Sequence, residues 1–165
     1  MIEIDCFQSP IGGLSILSIK ENVVKISFEN ESRKKMEKWC RSHLNMEIIE
    51  ETDVPSLAKD QILNYLSGKR TSLDFPVVHI NSPFSKKVLE TERTIPYGQT
   101  RSYGEVAKMV NKPRASRAVG SANAENPLPL YFPCHRIICS DGSIGGFGGG
   151  IKVKHFLLDL ESRHY

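Results

Sequence analysis

A cysteine followed directly by a histidine is the strongest sign of chemistry in this 165-residue sequence. An imidazole near Cys134 that accepts the thiol proton would raise the fraction of nucleophilic thiolate at neutral pH. Because sequence neighbours point their side chains apart, we expect a water molecule to relay the proton to His135. Ordinary packing of a small hydrophobic cysteine is the alternative for this pair taken alone.

The segments on either side of the pair favour the reactive interpretation. Upstream, Asn126–Pro133 contains three prolines, which restrict φ and remove backbone donors, so we expect an extended, rigid arm. Downstream, six glycines between Gly142 and Gly150 would let a flat ligand approach the main chain closely. A flexible surface loop is the other explanation for that run. Together the segments predict a pocket wall beside a nucleophile that is held still.

Composition is that of a soluble globular protein, with 39% hydrophobic and 25% charged residues. No stretch is apolar enough to cross a bilayer, and the N-terminus lacks the pattern of a secretory signal, so we expect a cytoplasmic protein without a membrane partner. The four cysteines lack paired spacing and are expected to be free thiols. Cys6, Cys40, His43 and His79 are too scattered to predict a zinc site, and we expect neither metal nor cofactor.

Charge is divided unevenly along the chain. Residues 1–81 carry a net charge of −2 and residues 82–165 a net charge of +5, which together make the +3 of the whole chain. Five basic residues lie between Arg101 and Arg117 against one acid, Glu105. This segment is a plausible footprint for a polyanion such as DNA, although lysines on a solvated helix face would look similar.

The first half predicts a small antiparallel sheet with helices on one face. Alternating apolar residues predict three strands separated by turns short enough for hairpins, over Ile2–Phe7, Leu14–Ile19 and Val23–Phe28. Helical spacing predicts helices over Glu31–Leu44 and Pro55–Leu66, the second opened by Asp53. The proline-containing Ser72–His79 is interpreted as an extended connector, and the domain boundary is placed near residue 80.

The second half is predicted to be mainly helical. A helix is expected to start at Ser82, where a serine cap precedes a proline, and a last helix covers Lys152–Glu161. Helices over Thr100–Val110 and Arg114–Ala124, separated by a short turn, have helix-turn-helix spacing. The small residues of the second of these helices would let it approach a DNA groove closely. An ordinary helix hairpin with tight packing is the alternative.

Five segments in this half resemble the O6-alkylguanine-DNA alkyltransferase family in spacing and order. They are Thr94–Ala107, Arg117–Gly120, Asn126–Pro129, Pro133–Arg136 and Gly149–Lys154. The resemblance implies an α+β fold, with a ribonuclease-H-like domain over residues 1–80 and a helix-turn-helix, winged-helix-like domain over residues 81–165. It also implies a single-use repair protein that removes an alkyl group from guanine O6 in double-stranded DNA.

The resemblance implies a role for each matching residue. Cys134 would accept the alkyl group, His135 would act as a base through water, and Glu161 would orient the imidazole. Asn126 would brace the turn that carries the nucleophile, and Tyr103 would donate a proton or hydrogen bond as guanine leaves.

The same resemblance implies the DNA contacts. Arg117 would fill the gap left by the extruded base, and the protein is expected to act as a monomer. Further DNA-binding positions are Arg101, Ser102, Ser116, Ala118, Ser121 and Asn123, and the base pocket would include Ile137, Phe147, Gly148 and Gly149. Gly148 adds a glycine to that loop, which predicts tolerance for groups bulkier than methyl.

Three other classes of function remain as alternatives. A cysteine hydrolase would turn over, whereas a thioether has no good leaving group. A lesion-binding protein of the alkyltransferase-like type would lack the acceptor cysteine, which is present here as Cys134. A helix-turn-helix transcription factor is weaker, because no regulatory or dimerisation segment is visible.

Overall fold

The computed structural model describes residues 1–52 and 56–164 of the chain, which divides into two units, Met1–Ile80 and Asn81–Tyr165. The first unit is built on a sheet and the second mainly on helices. The described part of the chain contains no helix with the length and apolar character needed to cross a membrane. The α+β class predicted from the sequence is confirmed.

The sheet of the first unit contains the three predicted strands and a fourth. Strands β1 (Ile2–Ser9), β2 (Gly12–Ile19) and β3 (Asn22–Phe28) pair antiparallel through two hairpins. Strand β4 (Ile48–Glu51) lies parallel to β1, so the strand order is β3-β2-β1-β4. Strand β4 was not predicted, because four residues ending in two glutamates are too few to show an alternating pattern.

Two helices belong to this unit, α1 (Arg33–Leu44) and α2 (Leu57–Leu66). Each begins two residues later than predicted, because a serine hydroxyl caps its first turn. Ser32 accepts from the Lys35 amide at 3.2 Å, and Ser56 accepts from the Lys59 amide at 3.1 Å. Asp53, expected to open α2, and Pro55, its expected first residue, lie outside the described residues.

The predicted connector Ser72–His79 runs along the edge of β3. The Val23 amide donates to the Pro76 carbonyl at 3.0 Å, and the Val78 amide donates to the Val23 carbonyl at 2.9 Å. One part of the core of this unit lies between the sheet and α1 and includes Ile2, Ile4, Leu17, Val24, Met36 and Cys40.

Within residues 81–164, the second unit contains four α-helices and a two-stranded sheet of very short strands. The helices are α3 (Pro83–Glu92), α4 (Tyr103–Met109), α5 (Ser116–Ala124) and α6 (Ile151–Arg163), and the strands are β5 (Arg101–Ser102) and β6 (Ile137–Ile138). Helices α3, α4 and α5 pack against one another around a core that includes Val88, Val106 and Val119.

Helix α4 starts later than the predicted Thr100. The Ser102 hydroxyl accepts from the Glu105 amide at 3.0 Å and so caps the helix. This cap leaves the two residues before α4 extended, and they pair in parallel with β6 as β5. Helix α5 likewise begins at Ser116 and not at the predicted Arg114.

The expectation of an extended arm over Asn126–Pro133 is wrong. The chain turns back at Leu130, which has φ +73°, and the Phe132 amide donates to the Leu128 carbonyl at 2.9 Å. Proline restricts its own φ and that of the residue before it, but it does not prevent a turn at a residue between two prolines. The segment is therefore a compact turn that leads into the cysteine.

Candidate active site

Cys134 is the first residue of a one-turn 3₁₀ helix, Cys134–Arg136, which continues into β6. Its amide donates to the Phe132 carbonyl at 2.7 Å, which fixes the backbone at the nucleophile. Only 8% of the residue is exposed, and it faces a cleft of about 260 Å³. The other lining residues are Tyr103, Gly120, Asn123, Ala124, Gly146, Phe147 and Gly148.

Asn126 holds the turn that delivers Cys134. Its Nδ2 donates to the Phe132 carbonyl at 3.0 Å, and its Oδ1 accepts from the Leu128 amide at 2.9 Å. One amide side chain thus ties together both ends of the turn at Leu130. The side chain also approaches the Cys134 sulfur and lowers the pKa of the thiol.

The residue after the cysteine is part of a buried ionic network. His135 is fully buried, and its Nε2 lies 2.7 Å from Oε2 of Glu161 on α6. Arg136 donates to the same carboxylate twice, from Nε at 2.8 Å and from Nη2 at 3.0 Å. The Gly98 amide also donates to this carboxylate, to Oε1 of Glu161 at 3.2 Å.

The network fixes the charge state of its members. Burial alone would raise the pKa of Glu161, but hydrogen bonds and charge from His135 and Arg136 outweigh it and hold that pKa well below its usual range. Burial lowers the pKa of His135, which keeps the imidazole neutral even though Glu161 opposes this shift. An ionised carboxylate accepts, so Nε2 of the neutral ring carries the proton. The acceptor nitrogen of the ring is therefore Nδ1.

The cysteine is a neutral thiol in this structure, which differs from the activated thiol that the Cys-His pair indicated. Burial, followed by the negative charge of Glu92, raises the pKa of Cys134 to about 12. Asn126 and Lys154 act in the opposite direction but are weaker. The pair in sequence does not reveal this, because the desolvation of the sulfur comes from the fold around it.

Tyr103, the first residue of α4, lines the cleft beside Cys134. Burial, then the neighbouring Cys139, Cys134 and Glu92, raises the pKa of the phenol, so the hydroxyl keeps its proton. A hydroxyl in this state can donate to a ligand. The ring packs beside Gly120 on α5, where a Cβ would lie 4.0 Å from Tyr103 Cε1, an ordinary van der Waals distance.

In the glycine-rich segment beside the cleft, both the backbone conformation and the close neighbours favour glycine at position 145. A Cβ on Gly145 would lie 3.3 Å from the Tyr103 hydroxyl, 3.4 Å from Cys139 Sγ and 3.5 Å from Lys154 Nζ, and its φ is +74°. A Cβ on Gly146 or Gly148 would meet nothing within 4 Å. The wall is therefore tight around the polar groups at Gly145 and open where Gly146 and Gly148 line the cleft.

Two charged residues near the cysteine were not predicted to have a functional role. Arg136 and Lys154 both lie in segments that carried the family resemblance, but neither was given a role. Lys154 is fully buried, and its Nζ donates to the carbonyls of Ile137 at 2.6 Å and Gly146 at 3.2 Å. It therefore joins the strand after Cys134 to the glycine-rich wall.

A third missed residue is Glu92, the last residue of α3, which is fully buried. Helical spacing was the available signal. Ser85, Val88 and Leu89 are the other buried residues of this helix. Glu92 lies four positions after Val88 and three after Leu89, on the same face of the helix. That spacing places it on the face that packs into the unit.

The expected DNA-contacting residues occupy α5 and the start of α4. Arg117, Ala118 and Ser121 are exposed on α5, whereas Ser116 at its first position and Asn123 are half-buried, and Asn123 lines the cleft. Arg101 is half-buried and donates to Gln99 Oε1 at 2.9 Å, and Ser102 caps α4.

The four expected base-pocket residues do not all line the cleft. Phe147 and Gly148 line it, whereas Gly149 lies in the turn that leads to α6. Ile137 is buried in the core of the unit, and its carbonyl accepts from Lys154. Within residues 1–52 and 56–164, no three His, Cys, Asp or Glu side chains are placed to hold a metal ion.

Two domain families match nearly all of the chain. Residues 4–78 match the 6-O-methylguanine DNA methyltransferase ribonuclease-like domain, and residues 83–163 match the DNA binding domain of the same protein family. The chain is 37% identical over 158 residues to a methylated-DNA–protein-cysteine methyltransferase from Methanosarcina acetivorans, covering 94% of this chain and 95% of the relative. It is 33% identical over 161 residues to the constitutive enzyme of that name from Bacillus subtilis, covering 96% and 94%.

Solved structures agree with these matches. The O6-methylguanine methyltransferase of Mycobacterium tuberculosis superimposes with a TM-score of 0.86 at 34% identity, covering 100% of this chain and 95% of that one. The structure of Mycobacterium tuberculosis OGT in complex with DNA gives a TM-score of 0.84 at 34% identity, covering 98% and 94%. The chain belongs to the 6-O-methylguanine DNA methyltransferase family.

Proposed function

We propose that Cys134 removes an alkyl group from O6 of guanine in double-stranded DNA and keeps it as a thioether. The observation that carries the proposal is the position of Cys134 in a cleft lined by Tyr103. The next residue, His135, is buried and hydrogen-bonded to Glu161. Family membership supports it, and so does the name of the relatives as methylated-DNA–protein-cysteine methyltransferases.

The reaction begins from a neutral thiol. As the sulfur attacks the alkyl carbon, its proton passes through a water molecule to Nδ1 of His135, and Glu161 stabilises the imidazolium that forms. The bond between the alkyl carbon and guanine O6 breaks, and its electron pair stays on the base. Tyr103 donates to the leaving base and so neutralises the developing charge. Guanine takes up one proton in total, which balances the one lost by the thiol.

The product cannot be released by water. A thioether sulfur bonded to an alkyl carbon has no good leaving group, so each protein molecule reacts once. This property separates the proposal from the cysteine hydrolase considered above, in which the thiol is regenerated.

Guanine O6 lies inside the base pair, so the damaged base must leave the stack before Cys134 can reach it. Extrusion costs a few kcal/mol, and less for a base that pairs poorly. The exposed Arg117 on α5 would enter the vacated space, with Ser116, Ala118 and Ser121 along the groove. The Mycobacterium tuberculosis relative solved in complex with DNA supports DNA as the partner. We propose action in the cytoplasm as a monomer.

The test is the intact mass of the protein after incubation with a duplex that contains one O6-methylguanine. The wild type should gain one methyl group, and Cys134→Ser should gain none. Cys139→Ser is the matched control, because Cys139 is the other cysteine near Tyr103, and it should still gain one. A methyl group gained by Cys134→Ser would refute the proposal.

A further inference from the structure

A second buried carboxyl lies near the nucleophile and has no part in the mechanism above. Glu92 is 0% exposed, and its carboxylate oxygens have no hydrogen bond of standard length and angle, although the Asn123 side chain is close enough to act as a weak donor. A carboxylate that loses its water without gaining strong donors is disfavoured relative to the neutral acid. Its environment therefore differs from that of Glu161, which accepts four hydrogen bonds.

The groups that face Glu92 come from each element packed around it. Asn123 approaches from α5, Tyr103 from α4, Lys154 from α6 and Cys134 from the 3₁₀ turn. The Asn123 amide atoms are also buried without a hydrogen bond of standard geometry, and this residue lines the cleft. Lys154 is the positive charge that acts on Glu92, but its Nζ donates to two carbonyls and not to the carboxyl.

Burial is the larger effect at Glu92. It raises the pKa of the carboxyl to about 8, although Asn123 and Lys154 act to lower it. The carboxyl is therefore mostly neutral at pH 7 and mostly ionised above pH 8. When ionised, it places a negative charge close to the sulfur of Cys134, where it is the second cause of the raised pKa of the thiol after burial.

We propose that Glu92 restrains the rise in Cys134 reactivity with pH: the neutral acid permits the thiolate to form, and the ionised carboxylate opposes it. This inference rests on the proposed function, in which Cys134 is the nucleophile. In this proposal Glu92 does not contact the substrate. It acts only by changing the pKa of the Cys134 thiol. Without Glu92, the reactivity of the thiol would rise more steeply through the pH range in which Glu92 ionises, because no negative charge would develop near the sulfur.

The test measures the reactivity of Cys134 towards iodoacetamide across the pH range, with modification followed peptide by peptide. Glu92→Gln keeps the shape of the neutral acid, and Glu92→Leu removes the polar atoms altogether. Glu90→Gln is the matched control, since Glu90 is exposed on the same helix. The exposed Cys6 is an internal reference for the reagent. Either Glu92 variant, if folded, is sufficient to decide the outcome.

All four proteins should react at Cys134 within about twofold of one another near pH 6.5, where Glu92 is neutral. Near pH 9.5, both Glu92 variants should react roughly tenfold faster than the wild type and Glu90→Gln, the equivalent of about one pKa unit at the thiol. Rate profiles of wild type and Glu92→Gln that remain parallel over the whole range would overturn the inference.

A second arm separates this inference from the proposed function. Methyl transfer from O6-methylguanine in duplex DNA is measured under the same conditions. If iodoacetamide profiles diverge as expected but no protein takes a methyl group from DNA, the charge effect stands and the proposed function fails. If transfer from DNA occurs and the iodoacetamide profiles are parallel, the proposed function stands and the role of Glu92 fails.

Discussion

Glu161 and Glu92 are the same chemical group, both buried in the same helical unit, and they have opposite charge states. Glu161 receives two hydrogen bonds from Arg136, one from His135 and one from the Gly98 amide, and it stays ionised. Glu92 receives none of standard geometry, and burial holds it mostly neutral at pH 7. Burial disfavours both carboxylates, so the partners decide the outcome.

The comparison explains how one small site keeps a thiol protonated and still has a base available. Burial, with a smaller contribution from the permanent charge of Arg136, lowers the pKa of His135 against the effect of Glu161, so the imidazole remains neutral and can accept a proton. Glu92 is mostly neutral at pH 7, so it places little negative charge near Cys134. Its ionised form raises the pKa of the thiol and opposes formation of the thiolate. Each of the following changes either breaks this contrast or sharpens it.

The largest effect is expected from removing the paired carboxylate. Glu161→Ala leaves the buried Arg136 without its partner, and we expect a loss of about 3–5 kcal/mol in the free energy of unfolding. Urea unfolding measures it. Because the pKa of Glu161 is depressed in the folded state, its contribution is present above the ordinary pKa of about 4.3 and is lost as the pH falls below it. Equal stability of variant and wild type at pH 7 would contradict the account.

The opposite sign is expected at the unpaired carboxyl. The pKa of Glu92 is raised in the folded state, so ionisation costs stability increasingly as the pH rises from about 4.3 towards 8. Glu92→Leu should raise the free energy of unfolding, by roughly 4 kcal/mol more at pH 8 than at pH 4. Thermal or urea unfolding at the two pH values measures the difference. A gain that does not change with pH would show that Glu92 is not titrating as described.

The next largest effect is expected from the hydroxyl of Tyr103, which lines the cleft and lies near Glu92. Tyr103→Phe removes only the hydroxyl, and we expect single-turnover methyl transfer to slow by roughly 10- to 100-fold through loss of the donor to the leaving base. DNA affinity, measured by fluorescence anisotropy, should be unchanged. A variant that transfers methyl at the wild-type rate would leave Tyr103 with a packing role alone.

The smallest effect is expected outside the buried network. Arg117→Ala should slow methyl transfer from duplex DNA by about tenfold, because extrusion of the base loses the side chain that fills the gap. Transfer from a single-stranded oligonucleotide should change little, since no base pair has to be opened there. Equal slowing on both substrates would mean that Arg117 contributes general phosphate binding.

The sequence predicted much of the fold because its patterns are local. Alternation located three strands, and Ser82 marked the start of α3 correctly. The four residues of β4 and the turn at Leu130 were missed, because each depends on partners distant in sequence or on a side chain such as Asn126. Local rules contain no information about those partners.

The site was predictable in its residue types and not in its electrostatics. The resemblance pointed to Cys134, His135 and Glu161, and the structure brings the last two within 2.7 Å. The neutral state of Cys134 and the buried Glu92 were not predicted, because desolvation is a property of the packed interior. Helical spacing places Glu92 on the buried face of α3, but the charge state of its carboxyl depends on the groups packed around it.

The most direct test of the central claim is a titration of damaged duplex with the protein, followed by mapping of the methyl group by peptide mass. We expect repaired guanine to equal the amount of active protein, with the methyl group on Cys134 and on no other cysteine. Repair of many lesions by each protein molecule, or a methyl group located on Cys6, Cys40 or Cys139, would contradict the account.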